Sequence, residues 1–188
     1  MRELWDVEYD ESPVHHHPKL IPVLAGVSSD KAYGELVKDK LIALCGDKAI
    51  IVDSFLSHKC LAALFAHTAV NFHPCSYDTY GMTIIEAAAC GVPSIMNSGD
   101  KIGASLIVGK GASIEIDLQG EPGNGTDETD DALNPAAISS LLTTLKNEHL
   151  LQETGLAAQQ RALAWDEEAY GATILKLIQK ALHKNSSN

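Results

Sequence analysis

The chain predicts an α/β domain: one doubly wound parallel sheet of about five strands, followed by C-terminal helices. Three observations lead there. Short, continuously apolar runs alternate with segments whose apolar residues are spaced as on a helix. Gly, Pro, Ser and Asp fall between them, where turns and caps need them. The last third of the chain holds only helical spacing after an acidic, Gly-rich break.

Each element can be justified in order. Leu20-Ile-Pro-Val-Leu-Ala25 is apolar and stops at Gly26, which reads as a buried strand. Residues 31–44 place Leu36, Leu41 and Leu44 on one helical face, with Ser29 or Asp30 as the cap. Ala49–Val52 is the second strand, and Ser57 opens a helix through Leu61, Leu64 and Phe65. Residues 69–73 form the third strand. A small-residue helix follows Gly81 and ends at Gly91, and Pro93 opens a fourth strand to Met96. A short helix is expected over 102–108 and a fifth strand over 112–116. Helices are expected over 135–146, 149–163 and 166–183, with Pro135 in a first turn behind Asn134 as cap.

Residues 119–134 are acidic and rich in Gly, with too little apolar content to pack; a solvated loop is the expectation. Residues 1–18 read as an N-terminal extension, partly disordered, ahead of one domain over 19–188. The length of 188 residues is enough for a single core, and with only 5% aromatics that core must come from Ala, Leu, Ile and Val. A net charge of −11 argues against nucleic acid and anionic membrane surfaces as partners. No run approaches a membrane span. The N-terminus is acidic without an apolar signal core, and the four cysteines form no zinc-like pair, so a reduced, cytoplasmic setting is expected. His15-His16-His17 cannot all face one ion on a strand, so no metal site is expected.

In an open parallel sheet, ligands bind beyond the strand C-termini. The loops at 26–30, 53–57, 74–81 and 97–103 would lie there. The most informative stretch is 74–93, a loop turning at Gly81 into a helix that bears one acid, Glu86. A helix start presents unpaired N–H groups and a positive field, suited to a phosphate. Tyr80, Gly81, Met82 and Thr83 supply those amides, and Glu86 lies within reach of hydroxyls on the same ligand. Against this, Thr83-Ile-Ile-Glu86 also fits a capping box, Asp78 fits a turn or cap aspartate, and His73 fits a structural histidine. Lys101 is a further phosphate candidate on the 97–103 loop.

The stretch Asp78 to Pro93, with two acids separated by seven residues and the tail Ala87-Ala88-Ala89-Cys90-Gly91-Val92-Pro93, resembles the donor signature of family-four, B-type retaining glycosyltransferases. The resemblance covers about residues 20–183, as the Rossmann-like, donor-binding half of a two-domain enzyme. It implies hexosyl transfer from a nucleoside diphosphate sugar, with no other cofactor and no metal. It implies that Glu86 meets the ribose, that Asp78 meets the sugar and is the catalytic candidate, and that the amides at 81–83 meet the diphosphate. Gly26, Ser28, Phe55 and Leu56 fall where the family cradles the nucleotide. The first acid is usually Glu, so Asp78 is a departure, one methylene shorter.

The acceptor-binding half is missing, as are the family's diphosphate-neutralising Arg and Lys; Arg2 and Arg161 sit in no such context. A fragment of a longer chain, or one that needs a partner chain, is therefore expected. The other readings are a non-catalytic nucleotide-sugar-binding or interaction module with the same fold, and a sugar-nucleotide epimerase, whose acid/base set cannot be found.

Overall fold

A computed structural model describes residues 20–99, 102–118 and 135–185. The expected extension at 1–18, the histidine triplet, Asp100, Lys101, the acidic loop and the Asn134 cap lie outside the described residues. The chain forms two compact units, one of residues 1–69 and 118–148, the other of residues 70–117 and 149–188.

In the first unit, β1 (Val23–Ala25) and β2 (Ile50–Val52) pair in parallel, Val23 opposite Ile50 and Ala25 opposite Val52. The ladder extends through Ile50 N–H to the Pro22 carbonyl and Gly26 N–H to the Val52 carbonyl, both 3.0 Å. Helix α1 (Lys31–Cys45) is capped by Asp30, whose carboxylate accepts from the Tyr33 amide at 3.0 Å. Helix α2 (His58–Phe65) is capped by Ser57, as its sequence predicts. Lys38 of α1 reaches Asp53 at 2.5 Å and Glu35 at 2.9 Å. The hydrogen bond to Asp53, then that to Glu35, raises the lysine pKa and keeps it charged. Helix α5 (Pro135–Leu145) belongs to this unit and buries Ala137 and Leu141.

In the second unit, β3 (Asn71–His73), β4 (Ser94–Asn97) and β5 (Ile114–Ile116) form a parallel sheet in that order. Central β4 is buried along its whole length. Its Ser94 hydroxyl accepts from Asn71 Nδ2 at 3.0 Å, so the buried polar group is paired. Helices α3 (Met82–Ala89), α4 (Ala104–Val108), α6 (Glu148–Leu163) and α7 (Glu167–Asn185) complete the unit. Its core is Ile84, Ala88, Met96, Ile102, Ala104, Val108, Ala112, Ala158 and Ala162, aliphatic and small as the low aromatic content requires.

The fold class is as the sequence predicts: α/β, with five strands among the described residues and every pairing of them parallel. The strands join as a pair and a triplet rather than along one ladder, because hydrogen bonding runs only between β1 and β2 and among β3, β4 and β5. Burial separates the two sheets. Val23 and Ile50 keep 41% and 48% of their surface exposed, whereas Ile95 of β4 keeps none. Strand and helix ends match the expectation to within two residues, the usual slack of boundary assignment, except that β1 starts three residues later, at Val23.

Small residues let α6 approach closely. A Cβ at Gly155 would overlap the Gly91 carbonyl. Gln159 Nε2 donates to the Ala89 carbonyl at 3.3 Å, and Arg161 Nη1 donates to the Val108 carbonyl. Thus α6 satisfies the C-terminal carbonyls of both α3 and α4. Gly155→Ala separates packing from propensity. Helix propensity alone would stabilise the variant by about 1 kcal/mol, whereas a clash with backbone costs about 1–3 kcal/mol. Urea denaturation should show net destabilisation.

Candidate functional site

The candidate site belongs to the second unit, where β3 runs out at His73 and the chain crosses to α3. Two glycines fix the path. Gly81 is left-handed, φ 62° and ψ 43°, and stands at the N-cap of α3. A Cβ there would lie 2.7 Å from that of Ala104, so glycine is required by backbone and packing together. A Cβ at Gly103 would overlap the Thr79 carbonyl. The loop is pinned to this second segment by Gly103 N–H donating to the Asp78 carbonyl at 2.8 Å, extending a parallel bridge between Asp78 and Ile102.

Asp78 organises the turn. Its Oδ1 accepts from the Tyr80 amide at 3.0 Å and the Gly81 amide at 2.8 Å. Its Oδ2 lies 3.3 Å from His73 Nε2, and the side chain keeps 33% of its surface exposed. The Gly81 amide lowers the Asp78 pKa most, burial opposes it, and the Tyr80 amide and His73 add to the lowering. His73 is buried, 9% exposed. Its Nδ1 is 3.3 Å from the Thr83 hydroxyl, while Nε2 makes no hydrogen bond.

These contacts revise the sequence reading at three points. The Tyr80 and Gly81 amides, expected to face a diphosphate, are both taken by Asp78, whose short side chain folds back onto its own loop. Those of Met82 and Thr83 have no acceptor among the described residues. The capping-box alternative for Glu86 fails. The N-cap is Gly81, Thr83 lies inside the helix, and its hydroxyl faces His73. Glu86 is half-buried on α3 with no assigned partner. His73 is buried and adjoins both Thr83 and Asp78. The signal in the sequence was its place as the last strand residue before the loop.

The structure therefore brings together Asp78, Tyr80, Gly81, Met82, Thr83 and Glu86. Gly26, Ser28, Phe55 and Leu56 belong to the other unit. Gly26 has φ 126° and closes the β1–β2 ladder. The Ser28 hydroxyl donates to the Asp30 carbonyl at 2.6 Å, a bond local to the start of α1. Phe55 is 86% exposed and Leu56 is half-buried. Among the described residues no group of His, Cys, Asp and Glu could hold a metal ion, and no helix is long and apolar enough to cross a membrane.

No protein-family model matches the chain, and no curated protein does. Solved structures do. Sucrose-phosphate synthase from Thermosynechococcus elongatus superposes with a TM-score of 0.63 at 19% identity, over 89% of this chain and 40% of that one. Anabaena HepE in complex with UDP-glucose gives 0.59 at 16% identity, over 91% and 42%. HepE with UDP and glucose gives 0.60 at 16% identity, over 84% and 39%. The fold is thus like that of B-type glycosyltransferase domains, and the chain spans about two fifths of the length of these structures.

The loop's charge state is testable by pH. The folded-state pKa of Asp78 lies below the ordinary 3.8, so ionisation favours the folded loop. That contribution is complete above the ordinary value and disappears as pH falls through the folded one. Hydrogen exchange should show the protection factors of the Tyr80 and Gly81 amides dropping in that acid window. In Asp78→Ala they should be low at every pH.

Proposed function

We propose that this chain is the donor-binding half of a retaining glycosyltransferase that moves a hexosyl group from a nucleoside diphosphate sugar. The observation that carries the reading is the start of α3. The Met82 and Thr83 amides, without an acceptor among the described residues, stand at a helix N-terminus, and Glu86 sits one turn behind them with no capping duty. A fold shared with a protein crystallised with UDP-glucose supports it.

The roles follow from donor and acceptor chemistry. The Met82 and Thr83 amides would hold diphosphate oxygens, helped by the positive end of α3. Glu86 would accept from neighbouring ribose hydroxyls, two acceptor oxygens for two donors. Asp78 would meet the sugar through Oδ2, since Oδ1 is spent on amides. An acceptor-binding half would come from the rest of a longer polypeptide or from a partner chain. Four free thiols support a reducing, cytoplasmic setting.

One observation favours the second reading, a non-catalytic nucleotide-sugar module. Arg161, the one arginine among the described residues, is committed to the Val108 carbonyl. A guanidinium so engaged is less available to neutralise the negative charge that builds on a departing diphosphate. Turnover by the complete gene product, lost on Asp78→Ala, would reject the module. For the donor site, Glu86→Ala should weaken nucleoside diphosphate binding by about 1–3 kcal/mol in calorimetry, because ribose hydroxyls lose their acceptor. Equal affinity of variant and wild type would remove the ribose role.

A further inference from the structure

Resting on the donor-site reading above, we infer that His73 is a positioning residue: its buried Nε2 aims Asp78 at the hydroxyls of the donor sugar. The argument is a count of lone pairs. Asp78 Oδ1 accepts two amides, so both its acceptor positions are filled. That fixes one end of the carboxylate but leaves its plane free to rotate about the Oδ1 contacts. His73 Nε2, 3.3 Å from Oδ2, is the second group in position to set the plane. Of the two acceptor positions on Oδ2, one then faces the histidine. The other is the carboxylate's last free acceptor, on a side chain that is partly exposed.

The histidine is itself held. It ends β3, it is buried, and its other nitrogen is 3.3 Å from the Thr83 hydroxyl. If that hydroxyl donates to Nδ1, Nε2 carries the proton and points it at Asp78. Nε2 itself makes no hydrogen bond, although Oδ2 lies 3.3 Å away. A buried N–H left short of its acceptor has a reason to tighten once a sugar hydroxyl draws Oδ2 into place. His73 thus couples the first turn of α3, through Thr83, to the sugar-facing oxygen of Asp78 without touching the ligand.

A merely structural histidine would affect nucleotide and sugar nucleotide alike, whereas a positioning histidine affects only the sugar. Calorimetry on the full chain with UDP, GDP and ADP identifies the base, and the matched glucose conjugate follows. His73→Leu should change nucleoside diphosphate affinity less than about twofold and weaken the glucose conjugate about tenfold. His73→Gln, whose amide nitrogen reaches the Nε2 position, should restore the difference. His73→Asn, which reaches only the Nδ1 position, should not. Equal losses for both ligands, no loss in the leucine variant, or rescue by Asn as complete as by Gln would each overturn the positioning role. Wild-type protein that binds none of the three diphosphates and none of their glucose conjugates would overturn the donor reading, and this inference with it.

Discussion

The site depends on one carboxylate. Asp78 holds the amides of Tyr80 and Gly81 with a single oxygen, and everything around it is arranged to keep that contact. The left-handed turn at Gly81 points its amide inward, Ala104 leaves room only for glycine, and Gly103 closes the loop from the far side. Loops of this length are ordinarily mobile. This one is bound at both ends to secondary structure and in the middle to itself, so α3 can begin abruptly, its Met82 and Thr83 amides without an acceptor among the described residues.

The second requirement is close packing behind the loop. The second unit has almost no large aromatic side chains in its core, so its stability rests on short distances between helices. Alanine and glycine on α6 permit that approach, and Gln159 and Arg161 use it to satisfy the carbonyl ends of α3 and α4. Arg161 is the telling case. A guanidinium is well suited to a phosphate, but its place on α6 commits it to a helix terminus. Among the described residues, the positive field nearest the loop is that of the α3 N-terminus.

Much of this was legible in the sequence. Ser57 and Asp30 read as caps and are caps, because capping depends on local spacing that a sequence shows. Gly91 and Pro93 read as the end of a helix and the approach to a strand, for the same reason. The site was legible at the level of the loop and less so at the level of atoms. Asp78 could face outward or inward with equal ease in the sequence; the outcome depends on amide directions set by Gly81. The capping box at Thr83 and Glu86 was a correct pattern in the wrong register, since the helix begins one residue before Thr83 and its cap is a glycine. The grouping of strands into a pair and a triplet involves partners far apart in sequence, which alternation of elements does not encode.

The aspartate at position 78, where the resembled signature carries Glu, exchanges reach for order. A longer side chain could extend toward a sugar while leaving the amides of the turn unpaired. The shorter one reaches those amides at 2.8 and 3.0 Å and leaves a single oxygen for any other partner. A carboxylate already anchored through Oδ1 loses less entropy when a hydroxyl reaches Oδ2, which favours affinity for a correctly placed sugar. The same fixation forbids adjustment to a sugar placed even slightly differently. A donor site built this way would be narrow in what it accepts, and its narrowness would be set by His73 as much as by the acid it steadies.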